Sequence, residues 1–249
     1  MEGLIGLAVL LLFGLLLALF AWRRVGARVG LRPLPAFAAL VQQISRAVES
    51  GGNLHTSLGT GGVGGAETLT SLAGIAVLDR LADQAAAAGV SPTVTIADAT
   101  LLPVAQDSLR RAFIRRDRGD QYRPEQVLLL SPHPTAYAAA AMSVAQDDAT
   151  AGNVLIGSWG SEIALLNEAA ARSGVPQVAG AAEPQAQALL FPAADHALLG
   201  EEIFATRAYL GGPDAAGQLL AQDIVRALVV LAIAALAVLN LVSLTAPGG

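Results

Sequence analysis

Two long uncharged runs bracket this chain. Residues 4–22 read LIGLAVLLLFGLLLALFAW and residues 227–244 read ALVVLAIAALAVLNLVSL, with no charged side chain in either. At ~1.5 Å per residue, a helix of either length approaches the ~30 Å hydrocarbon thickness of a bilayer. The expected organisation is a first transmembrane helix in residues 1–24, a central domain in 25–223, and a second transmembrane helix with a short tail in 224–249. A buried core helix or an amphipathic surface helix is the alternative for the second run. Its length without a charge favours the span.

The arginines orient these segments. Arg23, Arg24, Arg28 and Arg32 follow the first run, and Arg226 immediately precedes the second. Basic residues collect on the cytoplasmic side of a membrane, so both helices point the same way. The central domain is expected in the cytoplasm at the plasma membrane, with both termini outside. Glu2 stands where a signal peptide carries its basic region, and no small-x-small cleavage site precedes the arginines. A retained anchor is therefore the reading for the first run. Gly14 and Ala18 make a small-xxx-small pair that allows close helix contact, and hence a homo-oligomer through the membrane helices.

Composition removes several chemistries. There is no cysteine, so disulfides, thiolate nucleophiles and Cys-based metal sites are out. All 15 basic residues are arginine, which excludes a P-loop lysine or a lysine Schiff base. A net charge of −5 argues against nucleic acid as the partner. His55, His133 and His196 are the only histidines, and none has a second ligand at metal-motif spacing, so no metal is expected.

Between the two runs, β-prone segments alternate with Ala/Leu-rich helical ones. Strands are expected at 53–58, 93–97, 127–130, 154–156 and 177–179. Helices are expected at 35–49, 66–88, 100–116, 135–146, 162–172 and 185–209, the last with a break at Pro192. Gly89 and Gly174 stand where helices end, and Asp98, Ser131 and Ser161 where they begin. The strands are short and uniformly apolar, as in a sheet covered on both faces. The expected fold is α/β, a Rossmann-like, doubly wound, mostly parallel sheet flanked by N- and C-terminal transmembrane helices.

Ligands in such sheets sit beyond the carboxyl ends of the strands. Five turns would share that rim: 59–65, 98–100, 131–135, 157–162 and 180–183. Gly59, Gly61 and Gly64 satisfy G-x-G-x-x-G, a loop whose amides can approach a phosphate. The acid expected ~20 residues later is missing, since the strand-end Asp98 lies much further on. A flexible glycine loop is the plain alternative. In the 157–162 turn, Ser158, Trp159 and Glu162 offer a hydroxyl, a flat apolar surface and a carboxylate at a helix start. Helix capping beside a buried tryptophan explains the same residues. His55 and His133 are candidate polar contacts in a pocket. Arg110 to Arg123 form a basic patch interleaved with acids, either a salt-bridged face or a contact for anionic headgroups.

Four segments, LTSLAGIAVL (69–78), DATLLPVAQDSLRR (98–111), GSWGSEIALL (157–166) and LLGEEIFATRAYL (198–210), resemble an uncharacterised prokaryotic two-pass membrane-protein family, a domain of unknown function. The resemblance implies a membrane-embedded protein with an α/β domain and carries over no catalytic residues, cofactor or activity. The expected role is a membrane-anchored module whose cytoplasmic domain binds a small ligand or a partner, or serves as a scaffold. The rival is a tethered enzyme for a nucleotide or phosphate-bearing substrate, with Asp98 or Glu162 as acid/base.

Overall fold

The alternating segments form six parallel strands with helices on both faces, in a computed structural model that describes residues 32–210, 14–15, 226–227, 229–230 and 233. In chain order the elements are α1 (Pro35–Ser50), β1 (Asn53–Gly59), α2 (Thr68–Ala88), β2 (Pro92–Ile96), α3 (Leu102–Arg115) and β3 (Val127–Leu129). Then come α4 (Pro134–Ala145), β4 (Thr150–Ser158), α5 (Ile163–Ser173), β5 (Gln177–Ala181), α6 (Pro184–Leu190), β6 (His196–Leu199) and α7 (Thr206–Leu210). The strand order is β3-β2-β1-β4-β5-β6 and every pairing is parallel.

Local chemistry explains most boundaries. α1 opens on a proline, whose missing N–H is harmless in a first turn, and buries Phe37, Leu40, Ile44 and Ala47 at helical spacing. Gly51, Gly89 and Gly174 close α1, α2 and α5 in the left-handed conformation, as expected at Gly89 and Gly174. α1, α2 and α3 cover the sheet face carrying Leu54, Leu58, Val94 and Ile96. α4, α5 and α6 cover the other, where Tyr137, Leu155, Trp159, Leu166 and Ala179 pack. Both faces are covered, as the short strands lead one to expect, but the strands are not uniformly apolar: His55, Ser57, Thr95, Asn153 and Gln177 place buried polar side chains on them.

The helix expected over 185–209 is corrected. It breaks into α6, the edge strand β6, a 3-10 segment (Gly200–Ala205) and α7. Ser131 and Ser161 do not cap either: the cap positions are His133 for α4 and Glu162 for α5.

By contacts the chain divides into Pro33–Thr206, which holds the sheet, and a unit of Met1–Arg32 with Arg207–Gly249. Among the described residues no helix is long and apolar enough to cross a membrane. The expected spans, with Arg23, Arg24 and Arg28, fall outside the described residues, apart from isolated helical positions such as Leu15 and Val229.

Candidate functional site

Strand order reverses between β1 and β4, and in folds of this kind ligands bind in the crevice that the diverging loops form at the carboxyl ends of two such strands. Gly59 ends β1 at φ 81°, and Thr60 N–H donates to the Ser158 carbonyl at 2.9 Å. Gly61 is buried against the wall of the crevice. A Cβ there would stand 2.7 Å from Ser158 Cβ, 2.8 Å from Glu67 Cβ and 2.9 Å from Ser71 Oγ. Gly62 lies against the Asp98 carboxylate, 2.5 Å from Oδ2 by the same measure.

Part of the glycine loop is tied internally. Val63 N–H donates to Thr100 Oγ1 and Gly64 N–H to Thr68 Oγ1, each at 2.9 Å. The amides of Gly61 and Gly62 find no acceptor among the described residues. With Gly65, Ala66 and Glu67, whose amides also find no acceptor among the described residues, they are the donors left for a ligand at the amino end of α2.

Carboxylates dominate the surroundings. Glu162, nine-tenths buried, accepts from Gly160 N–H at 2.8 Å and Thr60 Oγ1 at 3.0 Å. Ser158 Oγ donates to Glu183 Oε1 at 2.9 Å, while Glu183 Oε2 is buried without a partner. Asp98 Oδ1 accepts from Thr100 N–H at 2.8 Å, and Glu67 occupies the cap position of α2. None of the five rim turns contains an arginine. Buried polar atoms without partners are rare in folded proteins and mark places that water, ions or ligands complete. Ser71 Oγ, Trp159 Nε1 and Glu183 Oε2 are three such atoms, all on residues next to or within this region.

Beneath the crevice runs a buried hydrogen-bond chain. Asn153 Nδ2 donates to Gln177 Oε1 at 3.2 Å, so its Oδ1 faces His55 Nδ1 at 2.6 Å and must accept. His55 Nε2 is then the acceptor for Thr95 Oγ1 at 2.9 Å. Tyr137 O–H donates to Thr95, and the Ser57 hydroxyl adjoins Tyr137 Oη. The chain needs a neutral imidazole. Burial lowers the His55 pKa to about 4 against the opposing Asn153 hydrogen bond. Burial likewise raises Tyr137 to about 12, despite hydrogen bonds from Ser57 and Thr95. No base–nucleophile pair is exposed to the crevice by this arrangement; it holds four strands and α4 together.

The structure therefore brings Gly59, Gly61, Asp98, Ser158 and Glu162 to one place. Asp98 follows β2 directly and reaches the glycine loop because α2 is 21 residues long, which stretches the spacing along the chain. Gly64 is on the outer, exposed part of the loop at φ 111°. His133 is exposed after the edge strand β3, outside the crevice. Trp159 is 2% exposed, with its ring 6.1 Å from that of Tyr137, so it is a core residue and offers no flat surface to a ligand. His55 is likewise core. Thr60 and Glu183 fall within the expected rim turns, whereas Ser71, inside α2, carries no sequence signal. An acid at a strand end directly before Pro184 was the available signal for Glu183.

The arginine patch is a salt-bridged face. Arg110 and Arg111 each pair with Asp107 at 3.0 Å, and Arg115 and Arg116 with Asp83. Partial burial pushes the Asp83 pKa up, but Arg116 and Arg115 outweigh it and hold the carboxyl below its usual value. Such exposed pairs add little stability. Among the described residues no three His, Asp or Glu side chains converge to hold a metal ion.

No curated protein and no solved structure matches the chain. A family match covers residues 3–247, which takes in the α/β domain and both flanking uncharged runs. The chain belongs to the family described as a domain of unknown function, DUF6754.

Proposed function

We propose that this chain is a membrane-anchored binding module. The hydrophobic runs hold it in the plasma membrane, and its cytoplasmic α/β domain takes a small, uncharged polar ligand in the β1/β4 crevice without catalysing a reaction. The observation that carries the reading is the crevice itself. Gly61 and Gly62 leave amides free beside Ser158, ringed by Glu67, Asp98, Glu162 and Glu183 with no arginine. A phosphate would meet uncompensated negative charge there, whereas hydroxyl groups could donate to the carboxylates and accept from the amides. That weighs against the phosphate-using enzyme.

Two observations support anchoring. Leu15, Val229, Val230 and Ile233 are exposed apolar side chains in helical backbone, an arrangement suited to lipid. Tyr209 O–H also donates to the Arg32 carbonyl at 2.6 Å, which sets the segments next to the two runs side by side. Exposed Arg32 and the arginines before it suit the headgroup layer.

Thermal-shift screening of the detergent-solubilised chain against sugars and nucleosides, each beside its phosphorylated form, tests the ligand. Stabilisation by an uncharged member, weakened roughly tenfold by Asp98→Asn and abolished by Gly61→Val, is the expected result. Preference for the phosphorylated form would favour the enzyme, and no response to any compound would remove the ligand. Anchoring predicts resistance to carbonate extraction, and a reporter at Gly249 active only outside the cytoplasm. Crosslinking in native membranes tests the homo-oligomer, which fails if only monomers appear.

A further inference from the structure

A second cavity opens at the opposite, amino edge of the sheet. It encloses about 370 Å³ between α1, the carboxyl end of α5, and the starts of β5 and β6. That is near the lower end of the range for small-molecule sites. Its floor is built: buried Gln43 donates Nε2 to the Pro176 carbonyl at 3.1 Å and the Asn153 carbonyl at 3.3 Å. The Asp195 carboxylate is fixed on one side, Oδ2 accepting from Gln177 N–H at 2.7 Å. Its second oxygen has no partner among the described residues, and neither do the Arg46 guanidinium and the His196 ring on the same lining.

Opposite charges thus line one small cavity without pairing with each other. Arg46 comes from α1, and Asp195 from the turn before β6. Ala171 and Gly174, at the carboxyl end of α5, line the same cavity, and the partial negative charge of a helix end favours a cation. The lining therefore offers a guanidinium, which binds a carboxylate in bidentate fashion, and a carboxylate for an ammonium group.

We infer that this amino-edge cavity binds a small zwitterion of the α-amino acid class, its carboxylate on Arg46 and its ammonium on Asp195. The inference stands apart from the crevice and holds whether or not the crevice takes a ligand. The site is small enough for one amino acid and open to solvent, both Arg46 and Asp195 being exposed.

Calorimetric titration of the detergent-solubilised full chain with each of the common L-amino acids tests it, with propionate and ethylamine as single-charge controls. At least one amino acid should bind, and both controls should bind at least tenfold more weakly. Arg46→Ala and Asp195→Asn should each weaken binding roughly tenfold. The second change keeps an acceptor for Gln177 N–H, so the turn stays intact. Asp98→Asn, at the other edge, should leave this binding unchanged. Binding of propionate as tight as that of the amino acid, insensitivity to Arg46→Ala, or no binding by any amino acid would overturn the inference.

Discussion

Replacing His55 with phenylalanine is expected to destabilise the α/β domain by about 3 kcal/mol at neutral pH and to flatten its response to acid. The ring is fully buried, and both nitrogens are engaged, by Asn153 and by Thr95. Phenylalanine fills the space but leaves the Asn153 amide oxygen buried without a donor, at a cost on the order of 1–3 kcal/mol, and takes the Thr95 hydroxyl's acceptor, leaving it only Tyr137. The acid response follows from the imidazole. Its folded pKa of about 4 lies below the unfolded 6.5, so the unfolded chain takes up the proton first. Stability is complete above pH ~6.5, then drains as the pH falls towards ~4, by about 3 kcal/mol in all. Urea denaturation of wild type and variant between pH 7 and 4 measures both effects. A wild-type curve with no acid slope attributable to His55 would mean that the imidazole is solvated, contrary to its burial.

Gly157→Ala is expected to be at least as damaging, with a loss of about 3 kcal/mol or more. Gly157 is in β4 beside the last residues of β1, and a Cβ there would collide with the Leu58 carbonyl. The strands would have to separate at the centre of the sheet, next to the crevice. Gly119→Ala is the control, since its Cβ would meet Ile114 Cγ1 at an ordinary 3.5 Å. Melting temperatures of the two variants should differ widely. Equal stability would mean that β1 and β4 do not approach as closely as the backbone positions require.

These expectations rest on contacts of unequal legibility. The strands at β1, β2, β3 and β5 are readable within two residues of their ends, because each is a short apolar segment closed by a turn residue. β4 extends well beyond its readable 154–156, since Thr150, Ala151 and Gly152 join it only by pairing with Asn53 and Leu54. β6 reads as helix. HALL is made of helix-compatible residues within an Ala/Leu-rich stretch, and pairing with β5 overrides that preference. The glycine loop and the 157–162 turn were recognisable as rim. The discounting of Asp98 was a spacing argument, and a long α2 makes spacing a poor guide to distance.

The hydrogen-bond chain through His55 was invisible. Ser57, Thr95, Tyr137, Asn153 and Gln177 come from β1, β2, α4, β4 and β5, and nothing in their separations along the chain announces that they meet. The amino-edge cavity is similar, joining α1 to the start of β6.

Periodicity, capping glycines and uncharged runs are properties of neighbouring residues, so the linear chain alone determined the α/β rhythm, the helix ends and the two hydrophobic flanks. Strand order, the buried imidazole, the burial of Trp159 and the meeting of Arg46 and Asp195 on one cavity lining depend on residues far apart in the chain. Only the packed sheet decided those, because long-range pairing and burial override the conformational preferences of any one segment.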